Sequence, residues 1–269
     1  MTLGEHLREL RSRLIKATLA VILFGIVGFV FRNEIIEFLT NSMYEAAERT
    51  GAEATRATYT RPTDPLFVPL RIAVMTGVVL AAPVWIYQVW AFITPALYRN
   101  ERRWAAAVIG AAVPMFGAGV AIALWIMPRA WEFLLSFTPT DLITNLIPFE
   151  EYLSFVIRIV MVFGIGFLLP IFVVLLNAVG VLRHETLASA RRWVIVGIFA
   201  FGAVATPTGD PFTLIMLATP MWLLFEAAIV VCRILDRRRD REFAGDLADD
   251  EATPVEQLNK LGRIDDDIT

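Results

Sequence analysis

Apolar residues run along this chain in blocks long enough to be read before anything else. A helix needs about 20 mainly apolar residues to cross about 30 Å of hydrocarbon. Six stretches meet or approach that length: Ile15 to Phe31, Ile72 to Phe92, Trp104 to Met127, Tyr152 to Val181, Trp193 to Val204 and Phe212 to Cys232. The pattern predicts an all-α, polytopic membrane protein with six transmembrane helices. The first run follows a basic segment, as a signal peptide does. Arg32, Asn33 and Glu34 stand where a small-residue cleavage site belongs, however, so it is read as an uncleaved first span.

The connecting segments differ in kind. The fifth run, Trp193 to Val204, covers only about 18 Å at 1.5 Å per residue. It must thin the bilayer or borrow its flanks, with Arg191 and Arg192 snorkelling at one end; an ordinary hairpin shielded by its neighbours and a functional thinning role both remain open. The loop from Asn33 to Leu70 holds an amphipathic stretch, Ile35, Ile36, Leu39 and Met43, then a proline-rich approach through Pro62, Pro65 and Pro69, and reads as an interfacial cap. The domain division expected is a membrane domain over 1–235 and an acidic cytoplasmic tail over 236–269 without fold of its own.

Composition agrees with a lipid-solvated chain: 57% of the 269 residues are hydrophobic and 19% charged, with a mean hydropathy of +0.62. The net charge of −3 conceals a strong asymmetry. Arg8, Arg11, Arg13 and Lys16, then Arg99, Arg102 and Arg103, then Arg183, Arg191 and Arg192, and finally Arg233, Arg237, Arg238, Arg239 and Arg241 all flank one side of the spans. The positive-inside rule assigns that side, with both termini, to the cytoplasm, the topology of a multi-pass membrane protein. Nucleic acid is not an expected partner; membrane lipid is. A single cysteine, Cys232, and two distant histidines, His6 and His184, cannot build a disulfide framework or a Cys/His metal cluster, so no metal and no cofactor are expected. No GxSxG, HExxH, Walker loop or intramembrane aspartate pair occurs, which argues against an enzyme.

Acidic and aromatic residues on the basic side are the remaining candidates. From Thr2 to Lys16, Leu3, Leu7, Leu10 and Leu14 form one helical stripe and leave Glu5, Glu9, Arg8 and Arg11 toward water or headgroups. Spacing alone favours a solvated i,i+4 pair of Glu9 with Arg13. The second span ends in Trp90-Ala91-Phe92-Ile93-Thr94-Pro95-Ala96-Leu97-Tyr98-Arg99-Asn100-Glu101-Arg102-Arg103. Taken alone, Glu101 is neutralised by Arg102 and Arg103, while Phe92 and Trp90 suit an interfacial aromatic belt.

Together with His6-Leu7-Arg8-Glu9-Leu10-Arg11, that segment resembles the TatC family, whose members carry an H-L-x-E-L-R opening and an F-x-x-P-x-L-Y-x-x-E-R-R loop. Phe67-Val68-Pro69-Leu70, Tyr152-Leu153-Ser154-Phe155, Thr206-Pro207 with Asp210, Pro220-Met221 and Leu224-Phe225-Glu226 extend the likeness over roughly Leu3 to Arg233. The resemblance implies a receptor for signal peptides carrying two consecutive arginines, exporting folded cargo on the proton-motive force. It also implies a concave bundle, single-span TatA- and TatB-type partner subunits, and assembly as a homo-oligomer within the complex. Glu9 and Glu101 are then the expected guanidinium acceptors, with Phe92, Arg11 and Tyr98 beside them. Pro69, Pro170 and Asp210 are expected in structural roles, Pro170 as the kink of the fourth span. A carboxylate accepts the planar guanidinium fork bidentately and an ammonium cannot match that geometry, which would favour arginine over lysine.

Polar residues inside the spans complete the reading. Glu226, deep in the sixth span, needs a partner, a wet cavity or a proton. Arg158 differs from it in depth by roughly 10 Å and fits Glu150 or Glu151 better. Gln88 and Asn177 suit interhelical hydrogen bonds. Many relatives place a glutamate where this chain has Leu168; if that acid docks the partner subunits, Glu226 or Gln88 must serve instead. Two rival readings are a small-solute transporter, which lacks a polar pathway across several spans, and an intramembrane enzyme, which lacks a catalytic constellation.

Overall fold

The computed structural model describes residues 3–52, 55–93, 102–137, 145–178, 180, 182–205 and 211–250. Their order is α1 (Leu3–Val30), α2 (Arg32–Arg49), β1 (Arg56–Thr58), α3 (Asp64–Leu80), α4 (Ala82–Ile93), α5 (Arg102–Leu135), β2 (Leu146–Pro148), α6 (Phe149–Gly166), α7 (Leu169–Ala178), α8 (His184–Ala205) and α9 (Pro211–Asp250). In lipid every backbone N–H and C=O must be satisfied within the protein, which long helices achieve segment by segment. Six membrane crossings result: α1, the bent pair α3–α4, α5, the pair α6–α7, α8 and the first part of α9.

Two crossings are broken, each at a proline. Between α3 and α4 the axis turns by 59°. Pro83 in the first turn of α4 has no N–H to give the preceding turn, and across the break the Trp85 indole donates to the Val78 carbonyl at 2.9 Å. Between α6 and α7 the helix stops at Gly166 and restarts at Leu169. Pro170, one residue into α7, cannot donate to Gly166, so the expected kink of the fourth span lies there. Pro69 stands one turn into α3 beside fully buried Val68. Just upstream, Asp64 accepts the Thr60 and Arg61 amides at 3.0 and 2.9 Å and fixes how the chain enters α3.

At the end opposite the start of α1, the amphipathic stretch expected as a cap is α2. Its Leu39, Met43, Ala46 and Ala47 are buried, and the buried Tyr152 hydroxyl donates to the Leu39 carbonyl at 2.7 Å. Beside it, β1 and β2 pair in parallel over three residues, Arg56 to Leu146 through Thr58 to Pro148, a pairing that no alternation in the sequence announces. The main core joins α3, α5 and α6 through Val68, Ile72, Met127, Leu153, Ile159 and Phe163. Gly77 of α3 lets α1 approach closely: a Cβ there would collide with the Val21 carbonyl.

Two expectations change. The fifth span is not twelve residues long. Helix α8 has 22 residues, about 33 Å at 1.5 Å each, because it takes in the polar flank from His184 through Arg192, so bilayer thinning is not required. The boundary expected at 235 also falls inside a helix, since α9 continues unbroken to Asp250. Asp236, assigned by the sequence to an unfolded tail, is buried.

Candidate functional site

The start of α1 and the end of α4 meet. His6 stacks on Phe92 with ring centroids 4.4 Å apart and planes at 21°. Three residues beyond His6, on the same helical face, lies Glu9. Its carboxylate takes the Arg13 guanidinium, with Nε at 3.0 Å and Nη2 at 2.6 Å, both on Oε1. The i,i+4 pair expected from spacing is therefore present, and Oε2 makes no hydrogen bond with another described residue. Glu5, Arg8, Glu9, Ser12, Arg13 and Lys16 border a hollow of ≈ 530 Å³. Arg11 is exposed on the same helix. Tyr98, Glu101 and Asp210 lie outside the described residues, as do Thr206 and Pro207.

Trp90 does not sit in an aromatic belt. It is 7% exposed and packs 6.0 Å from the Phe172 ring of α7, in a cluster with Ile86, Phe116, Ile171 and Leu175. Leu168 packs against the same cluster, so the position where many relatives hold a glutamate belongs here to an apolar joint between the second and fourth crossings. Gln88 is half-buried and makes no hydrogen bond with another described residue.

Glu226 has a partner that sequence distance concealed. Arg191 Nε donates to its Oε1, and so does the Trp222 indole at 3.1 Å. The unexpected length of α8 brings Arg191 seven residues into a helix rather than outside one, at the level of Glu226. Arg158 forms no ion pair with Glu226. It does not take Glu150, which binds Arg61 at 2.8 Å and Arg71 at 2.9 Å instead. Asn177 does bond between helices: its amide donates to Asp236 Oδ1 at 2.9 Å and to the Leu182 carbonyl at 2.8 Å. Asp236 Oδ2 also accepts the His184 backbone amide and faces His184 Nδ1, each at 2.8 Å. One carboxylate thus ties α7, the start of α8 and α9 together. Among the described residues no group of three His, Cys, Asp or Glu could hold a metal ion.

Residues 5–220 match the sequence model of the family described as "Sec-independent protein translocase protein (TatC)". The TatC protein of Xylanimonas cellulosilytica is 38% identical over 244 residues, 91% of this chain and 88% of that one. That of Aquifex aeolicus is 36% identical, covering 89% and 98%, and that of Escherichia coli 34% identical, covering 88% and 90%. A crystal structure of the twin-arginine translocase receptor TatC superposes with a TM-score of 0.73 at 34% identity, over 86% of this chain and 99% of that chain. The family is one of protein translocase components rather than of catalytic enzymes. The chain, a multi-pass membrane protein, belongs to the TatC family of Sec-independent protein translocase subunits.

Proposed function

We propose that this subunit is the signal-peptide receptor of its translocase, binding paired arginines of an exported protein at the end where α1 begins. The observation that carries the reading is the stacking of His6 on Phe92. It joins the helix bearing Glu9 and Arg11 to the segment that runs on through Tyr98 to Glu101. The Glu9 carboxylate keeps one oxygen open to a second guanidinium while Arg13 holds the other. Charge-assisted bonds of this kind contribute about 1.5 to 3 kcal/mol each, so two acceptors discriminate arginine from lysine usefully. Phe92 offers an apolar surface for the rest of the motif.

In this reading that end faces the cytoplasm, both termini lie there, and the protein resides in the inner membrane. The arginine-rich flanks support it. The partners are single-span TatA- and TatB-type subunits and further copies of this chain, with Glu226 and Gln88 as docking positions and the proton-motive force as the energy source. The crystal structure of a twin-arginine translocase receptor, similar over most of the chain, supports the same role.

The test is binding of the detergent-solubilised protein to a synthetic twin-arginine signal peptide and its twin-lysine counterpart, repeated with Glu9→Ala and Glu101→Ala. A clear preference for arginine that either substitution erases is expected. Equal binding of both peptides, unchanged by the substitutions, overturns the receptor reading.

A further inference from the structure

The second crossing turns by 59° between α3 and α4, and the turn leaves backbone groups without helical partners. The last four carbonyls of a helix have no amide of that helix to accept. At the end of α3 the Gly77 carbonyl takes the Ala81 amide at 2.9 Å. A straight helix would give the next one, Val78, the Ala82 amide four residues on. The Trp85 indole takes that place, donating to the Val78 carbonyl at 2.9 Å. In lipid no water can replace the bond, so the indole N–H satisfies the bent form as the Ala82 amide would satisfy the straight one.

Trp85 also ties the bend to the core. Its ring meets that of Phe116 in α5 edge to face, with centroids 5.3 Å apart and planes at 86°. Phe116 is itself buried and packed so closely on α6 that a Cβ on Gly164 would strike its ring. Pro83 alone does not set the direction of α4: its missing N–H concerns the Val79 carbonyl and permits a bend without fixing the angle. The angle matters at the far end. From Ala82 to Phe92 is about 15 Å at 1.5 Å per residue, so a change of about 10° at the break would move Phe92 by about 2.6 Å. A shift of that size, directed away from His6, carries the stacked rings from 4.4 Å to the limit of aromatic contact.

We propose that Trp85 is a positioning residue for the twin-arginine site: its indole N–H holds α4 at the angle that lays Phe92 on His6. Its effect on binding rests on the receptor reading; its hold on α4 does not.

Two readouts test this in the full chain. One is the preference of the detergent-solubilised protein for a twin-arginine over a twin-lysine signal peptide. The other, which needs no peptide, is disulfide formation in membranes between His6→Cys and Phe92→Cys, with Cys232→Ala. Trp85→Phe keeps an aromatic ring and removes the N–H; it is expected to lower both several-fold in a protein whose unfolding temperature shows it folded. Benzothienylalanine at position 85 keeps the bicyclic shape without the N–H; it is expected to do the same, and serves where Trp85→Phe does not fold. Trp131→Phe, the same change at an indole with no hydrogen-bond partner among the described residues, leaves both unchanged. Both readouts retained in either Trp85 variant, or lost equally in Trp131→Phe, overturn the proposal. So does a loss of one without the other, since binding would then not depend on where α4 points. An unsubstituted protein with no preference for arginine overturns the receptor reading instead, and the cross-link alone then decides whether Trp85 holds α4.

Discussion

The ring of His6 lies on that of Phe92, at 4.4 Å between centroids, although 86 residues separate them in the chain. Such aromatic pairs contribute about 0.5 to 1.5 kcal/mol beyond area burial, enough to bias where a helix end rests. With Cys232 changed to alanine, the pair His6→Cys and Phe92→Cys is expected to form a disulfide readily in membranes. His6→Cys with Trp125→Cys is not. Equal cross-linking in both pairs, read by gel mobility before and after reduction, would contradict the contact.

Asp236 provides a test of where the folded part of the chain ends. Truncation after Leu235 removes the acceptor of the Asn177 amide and of the His184 backbone amide. Each donor left buried without a partner costs about 1 to 3 kcal/mol. Truncation after Arg237 keeps all of these bonds. The shorter chain is expected to show a clearly lower unfolding temperature than the longer one; matching temperatures would mean that the network contributes nothing.

Tyr152 separates hydrogen bonding from packing. Tyr152→Phe loses the hydroxyl's bond to the Leu39 carbonyl and its contact with the Met127 sulfur, a net change of about 0.5 to 1.5 kcal/mol. Tyr152→Ala also empties a fully buried site flanked by Trp131 and Phe149, which costs about 3 to 5 kcal/mol for a large aromatic. Thermal unfolding in detergent should show a small shift for the first and a severe loss for the second.

Glu226→Gln and Arg191→Gln each remove one member of a pair that joins α8 to α9. Both singles should destabilise, and the double substitution should cost less than their sum. Arg191 is half exposed, so the coupling should be on the order of 1 kcal/mol rather than the larger figure of a fully buried pair. A coupling of zero in a double-mutant cycle would show the two residues to be independent.

Gly77→Leu should be among the most damaging substitutions in the spans. The side chain would have to displace the α1 backbone at Val21 and Gly25, and overpacking of this kind costs about 1 to 3 kcal/mol or more. The protein level in membranes checks it, with Gly110→Leu, where nothing lies within 4 Å of an added Cβ, as the tolerated comparison.

What the linear order of residues determined was the part governed by solvent. Apolar runs announced six crossings because lipid leaves a backbone few alternatives to helix, and Pro170 marked the break of the fourth because a missing N–H acts locally. The i,i+4 pair of Glu9 and Arg13 was legible for the same reason, since it needs only one turn of helix. The family likeness rested on short motifs whose order survives in sequence.

Tertiary structure decided everything that depends on how separate helices align in depth and rotation. Periodicity sees apolarity, so it cut α8 short at its polar flank and left Arg191 outside the helix that brings it to Glu226. Composition sees charge, so it assigned Asp236 to a solvated tail, whereas two helices arriving from elsewhere supply the donors that bury it. Trp90 was drawn into an apolar joint with Phe172, and Arg61 and Arg71 claimed Glu150, one of the two carboxylates expected for Arg158. Each of these outcomes is a choice among partners of similar chemistry, and only the distances set by packing make that choice.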